Sequence, residues 1–217
     1  MIRARIGGGG ERLLIAPVRG LAVEVPLLLS ELEAFGPDLI GLGLSPDELA
    51  ALREYFVKAE AEPIVSLTST EASEVRGLLR FGEVRVPNPS FVDLLRWAEA
   101  REIAVEALDP SDDRSATLFT EHIGYLELVR RTVSERRIAR SPPAPSTPDE
   151  FALAWDGQIA PGEGSRRFAA ARDRYLARAL ERAAVGHERV AIVVDRERFD
   201  PVRRLLEGGI PLAMTDE

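Results

Sequence analysis

Cysteine is absent from the 217 residues. That excludes disulfides, thiolate metal sites and a thiol nucleophile. Histidine is almost absent, with only His122 and His187, and the pair offers no H-E-x-x-H spacing and no triad context. No Gly-x-Ser-x-Gly elbow occurs either. Lysine is reduced to Lys58, so nearly all of the 28 basic residues are arginine. A GC-rich coding sequence explains that bias, and arginine also suits ion-pair networks in heat-stable proteins. Long apolar runs are missing too. The apolar segments are strand-sized or interrupted by charge, short of the ~20 residues that a membrane-spanning helix needs. The opening MIRARIGGGGER lacks the apolar stretch of a signal peptide. These absences predict a soluble, cytoplasmic protein with no membrane partner. A net charge of −8 argues against a nucleic-acid partner, which needs a surface that neutralises phosphates.

What is present suffices for one core. Hydrophobic residues make up 45% of the chain, which predicts a single domain over 1–217. Residues 2–6 and 12–18 read as strands joined by Gly7-Gly8-Gly9-Gly10. A phosphate loop leads into a helix; here a strand follows, so a hairpin turn is the reading. A helix is expected over 27–35, closed by Gly36-Pro37, and a buried strand over 38–44. Ser45, Pro46 and Glu48 form a capping box for a helix to about residue 60. Further strands are expected over 63–67 and 103–108, with helices over 71–81 and from Asn88-Pro89 onward. Residues 115–140 read as one long helix, with Leu118, His122, Tyr125, Val129 and Val133 at helical spacing. SPPAPSTPDE (141–150) cannot be regular throughout. Residues 151–159, around Trp155, carry few helix signals, and 162–165 reads as a second flexible point. The last unit is a helix over 166–184, a strand over 189–194, a helix over 200–207 and a strand over 211–214. Strands alternating with helices give an α/β class with a mostly parallel sheet flanked by helices. A helical excursion covers about 112–165.

One stretch carries more than fold class. AARDRYLARALERAAVGHERVAIVV (170–194) resembles the last helix–strand unit of the TraB (pheromone-shutdown) family, relatives of the Tiki and erythromycin-esterase/ChaN-like proteins. LLIAPVRG at 13–20 is similar to the family's opening strand and Gly-Thr-x-His-like turn. FVDLLRWAEAREIAVEALDP (91–110) is similar to its helix and strand leading to an aspartate, here Asp109. The resemblance implies metal-binding histidines just after two strands. In this chain Arg19 and Arg198 stand nearest those positions, Gly43 lies near the family's glutamate, and Pro110 replaces a common arginine. Guanidinium has no lone pair to give a metal at neutral pH. The resemblance therefore implies a divergent member with no metal and no cofactor.

Two readings fit Arg19 and Arg198. They hold an anion at the strand carboxyl ends, where open α/β sheets bind ligands. Alternatively they pair internally with Glu24, Asp109, Asp195 or Glu197. In Arg172-Asp173-Arg174 the resemblance turns the helix start toward the site, and Asp173 also suits a helix dipole. Asp109, Asp112 and Asp113 could hold Mg²⁺ or act as a base; Asp112 and Asp113 equally suit a helix's first turn. His122 reads as a hydrogen-bonded core residue and His187 as a loop residue. The leading expectation is a binding or regulatory module that holds a small anionic ligand at Arg19, Arg198 and Arg174, with Asp109. The rivals are a hydrolase using Asp109, Glu24 and Asp195 around a hard metal, and a homo-oligomer joined through the long helix and the Trp155 segment.

Overall fold

The computed structural model describes residues 1–7, 10–58 and 67–208. Strand β1 (Ile2–Ile6) pairs antiparallel with β2 (Glu11–Ala16), Ile2 facing Ala16 and Ile6 facing Arg12. The rest of the sheet is parallel. It comprises β3 (Leu39–Leu42), β4 (Ala104–Ala107) and β5 (Arg189–Val193), in the order β1-β2-β5-β3-β4. The expected α/β class with a mostly parallel sheet is thus what the chain forms.

Alternation along the strands builds two apolar faces. Leu13, Ile15, Ile40, Leu42, Ala191 and Val193 face one way. They are covered by α1 (Val25–Phe35), α2 (Pro46–Lys58) and α4 (Pro89–Glu99). Leu14, Ala16, Leu39, Val190 and Ile192 face the other way, under α8 (Glu163–Ala183) and α9 (Phe199–Gly208). Gly41 lies on that second face, where Leu108 fills the space of a side chain: a Cβ there would sit 2.4 Å from Leu108 Cδ1. Local chemistry sets the helix ends. The Ser45–Glu48 box closes reciprocally, with Glu48 N–H donating to Ser45 Oγ and Ser45 N–H to Glu48 Oε2. Gly36 ends α1 in the left-handed region, φ 60°.

A third apolar cluster lies over the carboxyl edge of the sheet. It joins Val18 and Leu21 to α3 (Ser69–Leu78), α6 (Tyr125–Arg140) and α7 (Pro148–Ile159), through Leu78, Ile138, Phe151 and Trp155. Gly77 gives Phe151 its seat, since a Cβ there would meet the ring at 2.4 Å. These helices cap the end of the sheet where its parallel strands finish.

Three expectations change. The long helix over 115–140 is two: α5 (Asp112–His122) and α6, broken at Ile123-Gly124, where Ile123 is extended and buried. The proposed stripe breaks with it. Leu118 is buried, but Tyr125, Val129 and Val133 are exposed, and Ile138 turns inward instead. Residues 148–159 are helical: Thr147 caps the Glu150 N–H, Glu150 reaches back to the Thr147 N–H, and Pro148 starts the helix. Trp155 lies in the core rather than on an exposed face, at 6% exposure. Residues 163–165 belong to α8, where the Glu127 carboxylate accepts the Gly164 and Ser165 N–H groups. The strand expected over 211–214, that over 63–67 apart from Leu67, and Gly8-Gly9 lie outside the described residues. Among the described residues, no helix is long and apolar enough to cross a membrane.

Candidate functional site at the carboxyl edge of the sheet

Three strands deliver charged residues to one edge. The chain leaves β2 through Pro17-Val18 to Arg19, leaves β4 through Leu108 to Asp109, and leaves β5 through Val194 to Asp195. A short 3-10 turn, Arg196–Arg198, then returns Arg198 over the sheet. Gly43 follows β3, and a Cβ there would press Val194 at 3.1 Å. From the side, α8 contributes Arg172 and Asp173.

The arginines are cross-linked to carboxylates. Arg19 donates Nε and Nη2 to Asp195 Oδ2, with Nε at 3.1 Å, and approaches Glu197 Oε1 at 3.6 Å. Arg198 donates Nη1 to Asp109 Oδ2 and Nε to Asp173 Oδ1, both at 2.8 Å. Arg172 Nη2 also reaches Asp109 Oδ2. The Asp109 side chain is fully buried and that of Asp173 is 6% exposed. Charge on the Asp195 carboxylate holds Arg19 above its ordinary value. Burial pulls Arg198 down, but Asp109 and Asp173 outweigh it, so it too stays protonated. Burial lifts Asp173 above its usual range despite Arg198. It lifts Glu197 to about 7, with help from the neighbouring Asp195 charge.

The structure brings Arg19, Arg198 and Asp109 to one edge. Arg174 does not join them: it is exposed, in a separate groove with Arg166 and Arg204. Arg172 occupies the inner position. Helical phase explains this. Asp173 is in line with the buried Leu176, Ala177 and Leu180, so Arg174 turns outward. That spacing was readable in the sequence. Glu24 accepts the Val18 N–H at 2.8 Å and pairs with the Met1 ammonium. Asp109, Glu24 and Asp195 therefore each already have a cation. Asp112 and Asp113 open α5 behind the Ser111 cap, and Asp112 accepts the Ser45 hydroxyl. His122 is half-buried at the end of α5, and His187 sits in a turn beside Asp38.

A cleft of about 590 Å³ opens over this edge between α2 and the arginines. Arg19, Arg172, Arg198, Asp195, Asn88 and Tyr55 are among its walls. Four of the eight buried side-chain atoms without a hydrogen-bond partner, among the described residues, belong to residues of this wall: Asn88 Nδ2, Arg172 Nε, Asp195 Oδ1 and Arg198 Nη2. A second cavity, about 290 Å³, lies under the cap. Arg19 and Glu197 line both.

No family model matches the chain, and no curated protein matches it.

Proposed function

We propose that the chain is a non-catalytic binding module on a TraB-like scaffold, and that its carboxyl-edge cleft holds a small ligand by an anionic group. The unpaired buried atoms of the residues that line the cleft carry this reading. Three are donors, on Asn88, Arg172 and Arg198, and one is an acceptor, on Asp195. Buried polar atoms of native proteins nearly always find partners. An occupant richer in acceptors than donors matches this set, and phosphate or carboxylate oxygens suit arginine forks. The carboxylates behind the arginines hold the guanidiniums in place when the cleft is empty.

Thermal melts in phosphate against chloride of equal ionic strength test the reading. Phosphate should raise the melting temperature progressively, adding about 2.7 kcal/mol of stability at a hundredfold excess over its Kd and about 1.4 kcal/mol for each further tenfold. Arg19→Ala, at a half-exposed position, should weaken that response without unfolding the protein. Equal curves in phosphate and chloride would overturn the proposal.

A further inference from the structure

The cleft at the carboxyl edge is far larger than an inorganic anion. Its volume of about 590 Å³ falls within the roughly 300–1,000 Å³ of sites that bind small organic molecules. Two sets of elements supply its walls. The chain after β2 and β5, and helix α8, bring Arg19, Asp195, Arg198 and Arg172. Helices α2 and α4, with Leu44 after β3, bring Ala51, Leu52, Tyr55 and Phe91. Glu48, Ala51, Leu52 and Tyr55 have the spacing of one helix face. Leu52 is partly buried against the core, Tyr55 is half-buried and Ala51 is exposed. The carboxylate on this face is committed, since Glu48 accepts the Ser45 N–H at 2.8 Å. What α2 offers the cleft beyond it is carbon surface and a phenol ring.

The arginine side keeps unused bonding capacity. The Arg198 side chain is 12% exposed, yet its Nη2 has no partner, and neither does Arg172 Nε. Asp195 uses only Oδ2 toward Arg19 and leaves Oδ1 unpaired. Buried polar atoms without partners cost free energy, so they point to an occupant independently of the cleft's shape. Inorganic phosphate would meet the arginines and leave the α2 wall to water. An anionic head joined to an apolar body satisfies both walls at once.

We infer that the cleft takes an organic anion, its phosphate or carboxylate head at Arg172 and Arg198 and a ring-sized apolar body against Ala51, Leu52 and Tyr55 of α2. The inference rests on the cleft's holding an anion and adds the nature of the rest of the ligand. Calorimetric titration of the full chain at pH 8 with inorganic phosphate, methyl phosphate, phenyl phosphate and phenol tests it. Phenyl phosphate should bind about tenfold tighter than methyl phosphate or better, since taking about 60 Å² of apolar surface out of water suffices for that factor. Phenol lacks the head and should bind about tenfold more weakly than phenyl phosphate, or worse. Ala51→Gln puts a polar side chain on the α2 wall at an exposed helix position. It should cut the preference for phenyl over methyl phosphate by about threefold or more and melt with its parent. If inorganic and methyl phosphate bind but phenyl phosphate binds no tighter than methyl phosphate, this inference fails and the anion reading stands. If none of the three phosphates binds, both fail. Phenol binding as tightly as phenyl phosphate, or a preference unaltered in folded Ala51→Gln, would also overturn the inference.

Discussion

Replacing Arg198 with alanine takes away the ion-pair partner of Asp173 and one of the two that Asp109 has. Both aspartates are buried, so the loss leaves negative charge without compensation in a medium that solvates it poorly. Breaking a buried pair on one side costs about 3–5 kcal/mol. Asp109 keeps Arg172, which places Arg198→Ala near the lower end, about 3 kcal/mol. For a chain of this size each kcal/mol moves the melting temperature by about 2–4 °C, so the expected loss is about 6–12 °C. The sign of its pH dependence follows from Asp173. Burial already raises that carboxyl in the parent, and without Arg198 it rises further. The folded variant then binds a proton more readily than its unfolded chain. Its deficit relative to the parent is full above the raised value and shrinks as pH falls through it. Melts of the parent, Arg198→Ala and Arg198→Ala/Asp173→Asn between pH 5 and 8 check this, and the double variant should recover stability. A variant within about 2 °C of the parent would refute the reasoning, since that falls below the shift from even one kcal/mol. So would a deficit that ignores both pH and Asp173→Asn.

Glu197 gives a second pH test. Its folded value is raised from 4.5 to about 7, so parent stability should fall as pH climbs through that window, by about 3 kcal/mol at most. Glu197→Gln should flatten the curve, and a slope unchanged in that variant would place the titration elsewhere. Limited proteolysis should cut first in the irregular stretch 141–147, before the Thr147–Glu150 cap closes, and should spare 162–165, where Glu127 holds the backbone. Gly77→Ala should speed the first cut by pushing Phe151 out of its seat, and cleavage starting at 162–165 would contradict this organisation.

The central strands were legible because each is a short run of branched apolar residues bounded by turn chemistry. The Ser45–Glu48 box was legible because nothing near it competes. The break between α5 and α6 was hidden, since Ile123 extends an apolar pattern and a lone glycine is tolerated in helices. The capping box of α7 was masked by the prolines before it. Arg19, Arg198 and Asp109 were found through strand ends and a family resemblance. Arg172 was passed over for Arg174, although counting back from Leu176 and Leu180 gives the right face. Glu74 and Asp156, which line the second cavity, carry no sequence signal of proximity. They come from α3 and α7, more than a third of the chain apart, and only the cap over the sheet edge brings them together.

The place of β5 has a further consequence, for biosynthesis. It lies between β2 and β3, yet among the described residues it is the last of five strands along the chain. Until residues 189–193 leave the ribosome, β2 and β3 have no partner between them and the sheet exists as two separate halves with open edges. Nearly 150 residues separate the end of β3 from the start of β5, which is roughly 8–30 s of translation at 5–20 residues per second. Asp195 and Arg198 arrive just after β5. The strand that closes the sheet and the charges that complete its carboxyl edge therefore reach the nascent protein together, and a chain released before them would expose both apolar faces at an unpaired edge.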